Sequence, residues 1–289
     1  MPDLSIITAL YNCHDLTRAF VQSLQQYTAA HNWELVLVND ASTESTAALE
    51  AEFADDSRIR WLHNTTNLGF AASNNRGASV AKAPLLAFLN NDLLLTENWL
   101  QPMLDAFHSS ENVGIVGNIQ FNPNTRLIDH AGVFFGLDGM PRQARKHRKL
   151  APTATTTEWY AVTAACMLIE KALFEQAGGF DTAYRNGFED IDLCVRLRLQ
   201  GRKHYVANQS RIFHCVSSSP GRHQHNDANA ERFRKQWAST TQAWGERDWA
   251  PEYLQRYARQ WWRFNFGKWR LARRMLRNDR MRQRLHYRP

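Results

Sequence analysis

The sequence contains no run of about eighteen uncharged apolar residues, which argues against a membrane-spanning helix. Its first sixteen residues, MPDLSIITALYNCHDL, hold only a short apolar stretch with no basic segment ahead of it, so no secretory leader is expected. Cysteine is scarce. Cys13, Cys166, Cys194 and Cys215 lie far apart with no paired spacing, which points to a reduced, cytoplasmic protein rather than a disulfide framework. Acids are scarce in one region: from Arg256 to Pro289, Asp279 is the single carboxylate among many Arg and Lys, whereas the chain before about residue 130 is mildly acidic. The net charge of +7 is therefore concentrated at one end, as expected for contact with an anionic membrane surface, an acidic glycan or nucleic acid. No recognised nucleic-acid motif accompanies that charge, so no nucleic acid is expected as a partner.

What is present is enough for a substantial core: 289 residues, 44% of them hydrophobic. LSIITALYN (4–12) is apolar and β-branched and stops at Asn12, which predicts a buried strand. Leu16, Phe20, Leu24 and Tyr27 follow at helical spacing over 15–30, with Asp15 placed to cap that helix. WELVLVND (33–40) predicts a second strand, 45–53 a helix, IRWLHN (59–64) a third strand, 69–81 a small-residue helix, and PLLAFLNND (84–92) a fourth strand. Strand and helix alternating through short links predict an α/β fold with a mainly parallel sheet and helices on both faces. Ligands of such sheets bind beyond the strands' carboxyl ends. There the chain carries Tyr11, Asn12, Asp40, Asn90, Asn91 and Asp92.

The second half is less regular. VGIVGNIQF (113–121) predicts a strand, and 160–180 a strand turning into a helix that stops at Gly178-Gly179. EDIDLCVRLRLQG (189–201) predicts a helix with acids in its first turn, and 204–215 a last strand or two. Residues 138–158, DGMPRQARKHRKLAPTATTTE, are basic, polar and poor in apolar anchors, and are expected to form a mobile loop.

Several of these residues carry chemistry. A carboxylate at a strand end, as in Asn90-Asn91-Asp92, suits a hard divalent cation shared with phosphate oxygens, although Asn-Asn-Asp is also ordinary turn chemistry. Glu189 and Asp190 at a helix start serve equally as dipole partners or as a base for an attacking alcohol. Asp40 suits either a nucleoside N–H or hydroxyl, or the first position of a turn. His214, between Phe213 and Cys215, is open between a structural and a ligand role. TALYNCHD after the first strand lacks a phosphate-gripping glycine loop, which disfavours a nucleotidyltransferase.

In chain order SIITALYN, LVLVNDASTEST, NTTNLGFAASNNRG, LLAFLNND, ACMLIEKALFEQAGGFD and GFEDIDLCVRLRLQG resemble the elements of family 2 glycosyltransferases of the GT-A fold, in their rhamnosyltransferase-like bacterial branch. The resemblance spans about Leu4 to Val216. It implies a catalytic domain over 1–227, with a Rossmann-like nucleotide-sugar-binding half (1–112) and an acceptor-binding half (113–227). Ala9, Tyr11 and Asp40 would line the nucleoside pocket, and Asn67, Gly69 and Asn75 its ribose side. Asn90 and Asn91 would contact the donor, and Asp92, assisted by His214, would hold Mn2+ or Mg2+. Asp190, beside Glu189, matches the family's catalytic base. Asn90 replaces the first acid of the usual Asp-X-Asp, Ala9 a frequent proline and Asn74 a common arginine.

The implied activity is an inverting transfer of rhamnose or another hexose from a UDP, dTDP or GDP sugar to a lipid-linked or polysaccharide acceptor in bacterial surface glycan synthesis. The missing first acid leaves a rival: a catalytically decayed sugar-nucleotide-binding or scaffold protein. The extension at 228–289 is basic and aromatic, with Trp237, Trp244, Trp249, Trp261, Trp262, Phe266 and Trp269. A helix of this kind suits an anionic membrane surface, and equally a seat on the catalytic domain with its arginines in water. The first alternative implies a peripheral location on the inner face of the cell membrane.

Overall fold

The computed structural model describes residues 1–149, 151, 153–215, 225–257 and 264–277; Trp261, Trp262 and the basic stretch 278–289 lie outside them. The first half runs β1 (Leu4–Leu10), α1 (His14–Tyr27), β2 (Trp33–Asn39), α2 (Ala47–Glu52), β3 (Ile59–His63), α3 (Phe70–Val80), β4 (Leu85–Leu89), β5 (Leu93–Leu94) and α4 (Gln101–Ser109). The second half adds β6 (Val113–Phe121), β7 (Ile128–His130), β8 (Val133–Phe135), β9 (Pro141–Gln143), β10 (Thr156–Trp159), β11 (Cys166–Glu170), α5 (Lys171–Gln176), α6 (Glu189–Leu199), β12 (Lys203–His214), α7 (Asn226–Tyr257) and α8 (Phe266–Arg277).

The large sheet has the order β10-β12-β6-β11-β4-β1-β2-β3. Strands β4, β1, β2 and β3 are mutually parallel, β11 enters antiparallel between β4 and β6, and β12 runs parallel to β6. Alternation places Ile7, Val36, Val38, Leu86 and Phe88 in a core on one face. Their neighbours Ile6, Leu35, Leu37, Ala87 and Leu89 lie in a second core on the other. A strand buried on both faces has no polar side to show, which is why these segments read as continuous apolar runs. Phe88 is fully buried, with Phe174 and Phe180 at ring separations of 4.8 and 4.9 Å. Phe88→Ala would cost about 3–5 kcal/mol through the cavity it leaves.

Close approach positions α3. A Cβ at Gly77 would overlap Ile7 Cγ2 and lie 3.1 Å from Val38 Cγ2, so a bare backbone lets α3 lie against β1 and β2. The α1 start differs from expectation. Asn12 and Cys13 both adopt positive φ (55° and 60°), so the chain turns sharply off β1 and the helix begins at His14. Asp15 sits inside the first turn, paired with Arg18 at 2.6 Å, and makes no cap.

Residues 138–158 do not form the expected loop. Residues 141–143 pair with β8 as β9, and 156–159 edge the large sheet as β10 against β12. The pairing partners supply an order that this polar sequence does not advertise locally. The C-terminal α7 packs on the second half of the chain. Phe233 is fully buried between Phe135 and Phe188, Trp244 stacks on Tyr160 at 4.8 Å, and Trp237 Nε1 donates to Asp192 Oδ1 at 2.8 Å. No disulfide joins any of the four cysteines, and no described helix is long and apolar enough to cross a membrane.

Candidate active site

The carboxyl ends of β1, β2 and β4 open onto one cleft, closed on its far side by the segments 163–165 and 186–190. At one end Asp40, just past β2, is buried. Its Oδ1 accepts from Asn64 Nδ2 (2.7 Å) and Leu68 N (2.8 Å), and its Oδ2 from Gly69 N (2.8 Å). Asn67 Nδ2 donates to the Asp40 carbonyl at 3.2 Å. One carboxylate thus shapes the whole 64–69 turn that leads into α3, and Gly69 takes the φ of +83° that this turn needs. Asn12 stitches the neighbouring strand end, its Oδ1 accepting from Thr43 N and Glu44 N at 2.9 and 3.2 Å.

At the middle of the cleft the three residues after β4 diverge. Asn91 Nδ2 donates to Thr17 Oγ1 on α1 at 2.9 Å. Asn90 is anchored through its backbone, N–H to the Ala165 carbonyl at 2.9 Å. Asp92 is tied to the end of β12 by Cys215 N, which donates to the Asp92 carbonyl at 2.9 Å. Because β5 pairs with β12, His214 is set beside Asp92, Nε2 to Oδ1 at 3.3 Å. On its other side His214 Nδ1 faces Asp129 Oδ2 at 3.7 Å, and Lys146 Nζ pairs with Asp129 Oδ1 at 3.1 Å. Asp92 Oδ1 and both ring nitrogens of His214 are buried without a hydrogen-bond partner among the described residues. Among those residues no group of three or more His, Cys, Asp or Glu gathers as a ready-made cation site.

The opposite wall is the start of α6. Asp190 Oδ2 accepts from Ala164 N (3.0 Å) and Oδ1 from Ile191 N (2.8 Å). Its carboxyl is surrounded by protein except where it meets the cleft. That burial pushes its pKa above the usual carboxylate range, against the opposing pull of the Ala164, Ile191 and Thr163 hydrogen bonds. Glu189 is buried, and its Oε2 accepts from Gly187 N at 2.6 Å, closing the turn before the helix. Nearby His130 is buried, and burial lowers its pKa to about 4, so the ring is neutral at neutral pH. Its Nδ1 pairs with Gln143 Oε1 at 2.6 Å, and its Nε2 accepts from Gly132 N at 3.2 Å and Thr163 N at 3.4 Å.

The structure therefore brings Ala9, Tyr11, Asp40, Asn67, Asn90, Asn91, Asp92, Glu189 and Asp190 to one cleft. Gly69, Asn75 and His214 are not among its lining residues. Gly69 acts from behind, through Asp40. Asn75 clamps Phe180 with both amide atoms, at 2.8 and 2.9 Å. His214 backs Asp92. Sequence reasoning missed Asn64, Phe70, Thr163 and Asn186. Asn186 carried a signal, an Asn-Gly pair just before an acid-rich helix start; Thr163 carried none, because its place depends on the β4–β11 pairing.

The chain is similar to several known proteins. The chain is 32% identical over 230 residues to the O-antigen biosynthesis protein RfbC of Myxococcus xanthus, covering 75% of this chain and 18% of that protein. It is 27% identical over 246 residues to the validoxylamine A glucosyltransferase of Streptomyces hygroscopicus subsp. limoneus, covering 73% and 51%. It thus spans about half or less of the length of these relatives. Two solved structures share the fold at low identity. GalNAc-T7 with UDP, GalNAc and Mn2+ superposes with a TM-score of 0.61 at 18% identity, covering 74% of this chain and 44% of that one. The mannosyltransferase PcManGT from Pyrobaculum calidifontis, in complex with GDP-Man and Mn2+, gives 0.59 at 15%, covering 98% and 83%. Both are GT-A proteins, and the large central sheet flanked by helices described above has that fold. Residues 5–178 match the family described as Glycosyl transferase family 2, and the chain belongs to that family.

Proposed function

We propose that the protein is an inverting glycosyltransferase that moves a sugar from a nucleoside-diphosphate donor to a hydroxyl of a bacterial surface glycan or its lipid-linked precursor. The observation that carries this reading is Asp190: a carboxyl half-buried in the cleft wall, held by two backbone N–H groups, with a raised proton affinity. A base of this kind takes the proton of an attacking alcohol more readily than an ordinary aspartate. In the reaction the acceptor oxygen bonds to the anomeric carbon as that carbon's bond to the diphosphate oxygen breaks, and the hydroxyl proton passes to Asp190. A single displacement inverts the anomeric centre. Asp40, Asn64, Asn67 and Gly69 form the nucleoside end, with Tyr11 and Ala9 beside it, and Asn90 faces the donor.

A divalent cation fits the residues present. Asp92 Oδ1 and His214 Nε2 are adjacent, buried and without hydrogen-bond partners among the described residues, and a carboxylate oxygen with an imidazole nitrogen suits Mn2+. Bound there, the ion would offset charge on the departing diphosphate. GalNAc-T7 and PcManGT, both solved with Mn2+ and a nucleotide or nucleotide sugar, support this reading, and the RfbC relative supports a surface-glycan product. In the same reading, residues 1–227 are the catalytic unit and 228–289 its extension. Helix α8 and the residues just before it dock on an anionic membrane: Phe264 and Phe266 are exposed and pack with Trp269, and no acid stands between 264 and 277 to match Lys268, Arg270, Arg273, Arg274 and Arg277.

Thermal shift with UDP, dTDP, GDP and their sugars, each with Mn2+ or EDTA, tests the reading. A donor-specific, Mn2+-dependent rise in melting temperature is expected. Asn90 in place of the first acid favours one rival, a protein that binds donor without catalysis; binding without either donor hydrolysis or transfer would establish it. Phe264→Ser with Phe266→Ser should reduce pelleting with anionic vesicles, and unchanged pelleting would reject the membrane seat.

A further inference from the structure

The segment between α5 and α6 takes an unusual course. Asn186, Gly187 and Phe188 have φ values of 57°, 147° and 75°, three consecutive residues outside the conformations that L side chains favour. Such backbone persists only where its surroundings over-determine it. One side chain does most of that here. Asn229, buried on α7, donates through Nδ2 to the carbonyls of Arg185 (2.8 Å) and Gly187 (2.9 Å) and accepts through Oδ1 from Arg185 N (3.3 Å). Both amide hydrogens and the amide oxygen are engaged.

The segment so held touches both ends of the cleft. Asn186 Oδ1 accepts from Phe70 N at the start of α3 (3.0 Å), and Arg185 Nη2 donates to the Asn67 carbonyl (3.1 Å). Gly187 N donates to Glu189, one residue before Asp190. Asn186 and Gly187 themselves line the cleft. We infer that Asn229, which lies beyond the family match at 5–178 and in the C-terminal extension, is a positioning residue of the site. It fixes the turn that joins the nucleoside end to the base. The extension is then a working part of the transferase and not an appendage to it. This inference rests on the transferase reading of the cleft.

Asn229→Ala removes all three bonds. Asn229→Asp keeps the acceptor for Arg185 N and removes both donors. Thr241→Val is the control: it breaks a bond from the same helix to the Gly139 carbonyl (2.7 Å), away from the cleft. In full-length protein at a temperature where all variants are folded, calorimetry with UDP, dTDP and GDP plus Mn2+ should show the wild type binding at least one of them. Both Asn229 variants should bind it about tenfold more weakly, as the loss of two or three modest hydrogen bonds, felt in part at the site, predicts. Amide exchange over 185–190 should accelerate on a similar scale in these variants. Thr241→Val should lower the melting temperature and leave affinity and exchange over 185–190 unchanged. Wild-type affinity and exchange in both Asn229 variants would overturn the positioning role alone. Binding of none of the three nucleotides by the wild type would overturn the transferase reading, and the inference with it.

Discussion

The two ends of the cleft are built on opposite terms. At the Asp40 end both carboxylate oxygens are engaged by Asn64, Leu68 and Gly69, and the turn is complete without any ligand. At the other end buried Asp92 Oδ1 and His214 Nε2 face each other at 3.3 Å without a well-formed hydrogen bond among the described residues, and burial raises the proton affinity of Asp190. Buried polar atoms left in this state cost free energy unless something outside the chain completes them. The first end is complete within the chain. In the proposed reading, the second keeps its groups ready for cation, diphosphate and hydroxyl.

The sharpest way to break this contrast is Asp190→Asn. Transfer should fall by about a thousandfold, the scale of general-base loss, while nucleoside-diphosphate affinity measured by calorimetry stays within about twofold. The pH profile carries the same information. Only the deprotonated carboxyl accepts a proton, and burial raises its pKa, so activity should decline on acidification at a higher pH than an ordinary aspartate would give. A profile flat down to the usual carboxylate range would reject the assignment. Asp40→Ala should act through stability instead, stranding Leu68 N and Gly69 N and removing one of the two acceptors of Asn64 Nδ2, at a cost of about 2–4 kcal/mol in urea unfolding. Loss of activity with undiminished stability would mean that the carboxylate's role is in the chemistry. Asp92→Asn and His214→Ala should each weaken Mn2+ binding by about tenfold or more, read by electron paramagnetic resonance without any substrate.

A control lies outside the cleft. Asp248 on α7 is buried, and burial raises its pKa to about 6 against the opposing pull of Arg247. A raised carboxyl pKa favours the folded state below the unfolded value and loses that contribution as pH rises through the folded one. Stability should therefore fall by about 1.4 kcal/mol for each pH unit between about 4 and 6 on account of this group. Asp248→Asn should remove that slope from melting curves and leave the pH profile of transfer untouched. A shifted activity profile would mean that Asp190 is not the group it reports.

Much of this was legible in the sequence where local pattern and tertiary role agree. Strand β6 occupies the residues its apolar run predicts, and β1, β2 and β4 end within a few residues of theirs, because strands buried on both faces display their burial in nearly every residue. Asp92 and Asp190 were readable because each stands at an element boundary. Strands β9 and β10 were not readable: Pro-Arg-Gln and Thr-Thr-Glu-Trp are polar and short, and become strands only against β8 and β12. The seat of α7 was equally hidden. A Trp-rich basic segment fits a membrane as well as a protein surface until the hydrogen bond from Trp237 to buried Asp192 decides it for that residue.

Gly77 lies one and a half to two turns along α3 from the cleft, with no room for a methyl group between the helix and Ile7. Yet α3 begins at Phe70, one of the residues lining the cleft, and its preceding turn is the one Asp40 shapes. The glycine therefore works as a shim. A single added carbon would press on Ile7 and Val38 and force the helix or these side chains to shift, while leaving every polar group of the site in the sequence. The seat of α3 on its sheet, and with it the place of Phe70 in the cleft wall, therefore rests on the absence of one methyl group.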